Sequence, residues 1–155
     1  MVYDYLSGMP KHYKGFFRPR NPKKYKGDPT NIVYRSSWEA KFMNYCDLRE
    51  DIQQWNSEEV IVPYYDPIQK KWRRYFPDFM IKYKNSKGIV ITEMIEVKPY
   101  KEVVGPPEKP KRKTKSWTYA VLTYINNQAK WKAAEEYCEN RGWSFRIITE
   151  RELKI

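Results

Sequence analysis

Two acids and a lysine stand inside runs that otherwise read as buried strand: Asp78 in "RYFPDFMIKY", and Glu96 and Lys98 in "ITEMIEVKPY". Successive strand residues face opposite sides, so Glu96 and Lys98 share one face while Ile95 and Val97 share the other. Between the two runs, Ser86-Lys87-Gly88 suits a three-residue hairpin loop, with glycine in the left-handed position such loops need. In that register Asn85 faces Ile89 and Asp78 lands opposite Glu96; a four-residue loop would break the alignment. Two carboxylates facing one another on a sheet repel unless a cation lies between them. A Mg²⁺ site asks for this arrangement, hard oxygen ligands from one or two carboxylates with waters left for a substrate phosphate. Lys98, roughly 7 Å along the strand from Glu96, is placed to orient an attacking water or to hold the phosphate. Metal plus lysine is a phosphodiester-cleaving set. An ordinary salt-bridged exposed face, with Asp78 following a turn proline, has the same spacing.

A further acid bears on this choice. In "YRSSWEAKF", Glu39 lies one turn into a predicted helix, bracketed by Trp38, Phe42 and Met43, and points along the edge of an apolar stripe. Ser36 and Glu39 have capping-box spacing, and the same geometry also carries the carboxylate toward a site under the helix. Arg35, just before the helix, and "KKWRR", with Lys70, Lys71, Arg73 and Arg74 around Trp72, are candidates for phosphate contact. A charged edge strand protected against pairing would look the same.

The elements that must position these residues follow from periodicity. Trp38, Phe42 and Cys46, with Tyr45 and Arg49, trace a helix from Ser37 to Arg49. Strands are predicted around Val60–Tyr64, Trp72–Phe76, Phe79–Tyr83 and Ile89–Val97. "SWTYAVLTYINNQAKWKAAEEYCENRG" gives a long helix with Val121, Ile125, Ala129, Ala133 and Tyr137 at four-residue spacing, stopped by Gly142. A strand in "WSFRIIT" and a short helix end the chain. The class is α/β or α+β, a central mixed sheet flanked by helices. Residues 1–28, rich in Pro, Gly, Lys and Tyr, read as a basic arm, and residues 29–155 as one domain. Lys11 to Asp28 holds seven Lys or Arg and one Asp. "KEVVGPPEKPKRKTKS", residues 101–116, carries six positive and two negative charges, reads as a mobile loop, and includes Lys111, Arg112 and Lys113 as phosphate candidates.

The chain has 155 residues, enough for one core, with 30 Lys and Arg against 19 Asp and Glu, a net charge of +11 and 17% aromatic residues. A small, basic, aromatic-rich domain points to a polyanion, with nucleic acid first. There is no apolar run long enough to cross a bilayer and no apolar core of a signal peptide, so no membrane partner is expected. Cys46 and Cys138 are isolated and expected in the core. His12 is the one histidine and lies among tail residues. No His/Cys zinc site and no GxxxxGK[ST] phosphate loop can be built, so in an enzyme the carboxylates must hold the metal.

"YRSSWE", "YFPDF" and "EVKP", in this order, resemble the PD-(D/E)xK nuclease superfamily. The longer stretches "NPKKYKGDPTNIVYRSSWE", "QQWNSEEVIVPY" and "RYFPDF" look like the head completion nucleases of T-even-type phages, and the likeness covers nearly the whole chain. The resemblance implies a restriction-endonuclease-like core and a Mg²⁺-dependent endonuclease, with Mn²⁺ able to stand in. Its site would be like that of transposon end-cleaving nucleases. Glu39, Asp78, Glu96 and Lys98 would be catalytic, the three acids holding the metal. It also implies a virion protein, made in the host cytoplasm, acting on packaged double-stranded DNA at the portal end before the tail joins, beside the portal or other head-completion proteins. Many relatives place a Gln-x-x-x-aromatic pattern on the following helix; here Gln128 is followed by Trp131 and Lys132, one residue off, which makes Gln128 an accessory candidate. A non-catalytic DNA-end plug is the alternative of another class, and an RNA-binding accessory protein a third. Oligomeric state, metal number and cleavage specificity are not expressed in the sequence.

Overall fold

Ser36 is extended, at φ −155°, and its Oγ accepts the Glu39 N–H at 3.1 Å, so the chain turns from extended to helical at this residue. The computed structural model describes residues 14–154. The first half of the predicted arm, with His12, therefore lies outside the described residues. In chain order the elements are strands β1 (Gly15–Phe17) and β2 (Ile32–Tyr34), helix α1 (Ser37–Leu48), strands β3 (Ile52–Ser57), β4 (Val62–Asp66), β5 (Lys71–Tyr75), β6 (Phe79–Lys84) and β7 (Val90–Val97), helices α2 (Tyr100–Val104) and α3 (Lys115–Glu139), strand β8 (Ser144–Ile148) and helix α4 (Glu150–Leu153).

The central sheet runs β3-β6-β7-β8. β6 is antiparallel to both β3 and β7, whereas β7 and β8 are parallel, the two being joined across α3. The sheet is therefore mixed. Its faces are covered differently. Phe42, Met43 and Cys46 of α1 pack with Ile52, Trp55, Phe79, Ile81, Ile95 and Val97. On the other side Met94 packs with Trp131, Ala134 and Cys138 of α3 and with Val62, Tyr64 and Tyr75 of the β4–β5 hairpin. Alternation along β7 sets this division: Ile95 and Val97 belong to the first core, Met94 to the second. Both cysteines are buried and free.

The β6–β7 hairpin has the register read from the sequence. Phe79 pairs with Ile95 and Lys84 with Val90, and Asn85 N donates to Ile89 O at 2.9 Å. Asn85 Oδ1 accepts the Lys87 and Ile89 N–H groups at 3.0 and 2.9 Å, closing the loop, while Gly88 takes φ +76°. That left-handed conformation is one glycine adopts at little cost.

Other expectations are corrected. The stretch "DIQQWNS" forms β3, a full partner of β6; its polar residues hide a strand whose apolar members, Ile52 and Trp55, are three apart because the register shifts between Ile52 and Gln54. Residues 14–28, read as an arm, are mostly exposed but tied to the domain, with β1 paired to β2 and Tyr25 buried. Arg20 and Asn21 N–H groups donate to the buried Asp47 carboxylate at 2.8 and 2.9 Å, and Tyr25 stacks edge-on against Trp55. The predicted loop 101–116 begins with α2, and α3 has started by Lys115, which leaves residues 105–114 irregular. On α3 the buried residues are Asn127, Trp131, Ala134 and Cys138, not the predicted stripe. Ala129, Ala133 and Tyr137 flank this face, since α3 packs against the hairpin as well as the sheet, and Ile125 is exposed.

Candidate active site

Four elements end at one place. Glu39 sits in the first turn of α1, Glu58 immediately after β3, Asp78 immediately before β6, and Glu96 next to last in β7. One carboxylate oxygen each from Glu39, Glu58 and Asp78 lies within 4.8 Å of the others. Asp78 also faces Glu96, with which it interacts directly. The backbone holds Asp78 rigidly: Val97 N–H donates to its Oδ2 at 2.8 Å, and its own carbonyl accepts from Glu58 N at 3.1 Å. Glu96 is buried, and Trp131 Nε1 donates to its Oε2 at 3.5 Å across the face covered by α3.

The electrostatics record the crowding. Burial raises the Asp78 carboxyl well above its ordinary range, and the charges of Glu96 and then Glu39 add to the effect. Burial also raises Glu39, opposed by hydrogen bonds from the Arg35 backbone and Ser36. Burial, followed by the charges of Glu96 and Asp78, pushes the Tyr75 hydroxyl up, and that hydroxyl faces Glu96 and Trp131. An all-oxygen donor set of mutually repelling carboxylates fits a hard divalent cation with its waters.

The sequence profile of the TnsA-like endonuclease N-terminal family matches residues 49–150. The chain is also 40% identical over 146 residues to the "Head completion nuclease" of Enterobacteria phage T4, covering 92% of this chain and 94% of that protein. The chain belongs to the TnsA-like endonuclease family. It is therefore an endonuclease, and divalent-metal chemistry on DNA is what such a family performs. Glu39 lies outside the residues that the family profile matches, so its place in the cluster rests on the geometry above.

Within this TnsA-like domain, Lys98 follows Glu96 by two residues at the end of β7, its N–H held by Ile148 O at 2.9 Å. A second lysine, Lys130, comes from α3. Its Nζ lies 5.9 and 5.8 Å from the ring centres of Tyr64 and Tyr75, and burial, followed by the charge of Lys98, lowers its pKa. Arg35 grips Glu58 with two hydrogen bonds of 3.0 and 3.1 Å. Lys70, Lys71, Arg73 and Arg74 are exposed on the β4–β5 hairpin, Arg73 bonding Asp66 at 3.3 Å, and Lys111, Arg112 and Lys113 are exposed in the irregular segment. Gln128 is exposed on the far side of α3, while Asn127 and Trp131, four residues apart, are buried. The side chain that reaches the acids is Trp131.

Glu58 was not legible as a site residue. It follows the strand that the sequence hid, and it stands at φ +55°, a left-handed conformation costing a non-glycine residue about 1 kcal/mol. Nothing in "NSEEV" distinguishes it from Glu59. Lys130 and Tyr75 were equally silent, because their relevance depends on how α3 and the hairpin pack.

Proposed function

We propose that the protein cuts double-stranded DNA with Mg²⁺, Mn²⁺ being able to stand in, while a phage head is completed at its portal end and before the tail joins. The observation that carries this reading is the meeting of Glu39, Asp78 and Glu96 at one end of the sheet, beside Lys98, in a chain so similar to a phage head completion nuclease. Asp78 and Glu96 would hold the metal, and Glu39 would support it or its water. When bound, the metal supplies a Lewis acid for the scissile phosphate and an activated water.

The protein's own contribution is placement. Val97 N–H holds the Asp78 carboxylate before any ligand arrives, and the longer contact from Trp131 Nε1 orients Glu96, which lessens the reorganisation left for the reaction. Lys98 would orient the nucleophile or hold the charged phosphate. Arg35, Lys70, Lys71, Arg73, Arg74, Lys111, Arg112 and Lys113 would meet backbone phosphates along the approach, a role that follows from their exposure and charge. Supercoiled plasmid incubated with the full chain should be opened in Mg²⁺ or Mn²⁺ and left intact in chelator. Duplex binding with no nicking in either metal would instead make the protein a DNA-end plug.

A further inference from the structure

Trp72, the second residue of β5, is 71% exposed and leans edge-on against Tyr65 of β4, with ring centres 5.8 Å apart, while Tyr65 is itself 47% exposed. Exposing an aromatic pair to water forfeits apolar burial that a strand could obtain by turning it inward. The hairpin does have an inward face: Val62, Tyr64 and Tyr75 are buried against α3. Tyr65 and Trp72 pair directly across the ladder on the opposite face, with Pro63 and Arg74. Two residues beyond Trp72, Arg74 lies 5.7 Å from the ring centre of Phe76, which is 40% exposed. Beside the pair, a groove of about 510 Å³ runs between β4 and the C-terminal end of α3, and its other wall carries Lys132, Tyr137 and, just past the helix, Arg141, two cations against the single acid Glu136. Arg141 stacks on Tyr137 at 3.4 Å.

Exposed aromatic faces interleaved with cations are what unpaired nucleotides require. The rings stack on bases, and the cations follow the backbone. A paired base in a duplex hides both its faces in the stack, so Trp72 and Tyr65 gain little from intact B-DNA. Trp72 is six residues from Asp78, at most about 22 Å of chain, so nucleotides seated there lie within a few steps of the acids.

We propose that the β4–β5 hairpin is a stacking platform for unpaired nucleotides, and that the preferred substrate is DNA in which duplex adjoins a single-stranded end or an unpaired bubble. This rests on reading the protein as a DNA nuclease and names the form of DNA that its site meets. The test is equilibrium binding of the full chain, in chelator so that nothing is cut, to a blunt duplex and to the same duplex bearing a single-stranded overhang. The wild type should bind the overhang DNA about tenfold more tightly, the effect of roughly one stacked base. Trp72→Ala should equalise the two, and Trp72→Phe should restore most of the difference. Trp72 is exposed, so the alanine variant keeps its core, which circular dichroism verifies. Equal wild-type affinity for the two DNAs, or a preference that survives Trp72→Ala, would overturn the platform and leave this face as a surface for a protein of the phage head. Because no cleavage is read, a protein that showed the preference yet never nicked DNA in Mg²⁺ would lose the nuclease reading and keep this one.

Discussion

Asp78 concentrates the strain of the site, and its protonation gives a signed prediction. Its carboxyl is raised by burial first and by Glu96 and Glu39 next, so the folded state favours the protonated form. The stability this confers is full below the ordinary carboxylate pKa of about 3.9 and is lost as pH rises through the elevated native value. Asp78→Asn removes the charge while its amide oxygen can still accept the Val97 N–H. In chelator, the variant's melting temperature should therefore exceed that of the wild type at neutral pH, with the gap closing toward pH 4. A variant less stable than the wild type at pH 7 would show that the cluster is not strained. Added Mg²⁺ should narrow the gap by stabilising the wild type alone. Trp131 acts through Glu96: Trp131→Phe keeps an aromatic ring, though a smaller one, loses the Nε1 donor, and should weaken apparent Mg²⁺ affinity by about 10- to 100-fold in a variant that circular dichroism shows folded. Titrating Mg²⁺ against nicking rate measures it, and an unchanged midpoint would reduce Trp131 to packing.

Among the elements, the β6–β7 hairpin was legible because its information is local. Glycine at the left-handed position favours the three-residue loop over a four-residue one, and that register, the one observed, brings Asp78 to Glu96. A Cβ at Gly88 would meet nothing within 4 Å, so substitutions there report backbone conformation alone. Gly88→Asn should cost little and Gly88→Ala about 1 kcal/mol, readable from urea midpoints; an equal cost for both would contradict the turn. β3 was illegible because a register shift breaks its alternation, and with it went Glu58. The buried face of α3 was misread by a fraction of a turn, since four-residue spacing cannot register that the helix leans on a hairpin as well as a sheet. Gln128 came from the resemblance alone, one residue off the family spacing, and it lies exposed while Asn127 and Trp131 are buried.

For the whole molecule, composition was a sound guide: a net charge of +11 suits a DNA enzyme. Which cations touch phosphate is a long-range property that composition does not resolve. If Lys111, Arg112 and Lys113 do, replacing all three with alanine should weaken binding alike for all duplex sequences and flatten its salt dependence by about 0.9 in slope per lost contact. An unchanged slope would return them to solvated surface. Catalysis depends on the acids that four separate elements deliver to one point. The most direct measurement is plasmid nicking in Mg²⁺ by the wild type beside Asp78→Ala and Glu96→Ala, each checked for folding. The account predicts nicking by the wild type alone, abolished by chelator; undiminished nicking by both variants would contradict it.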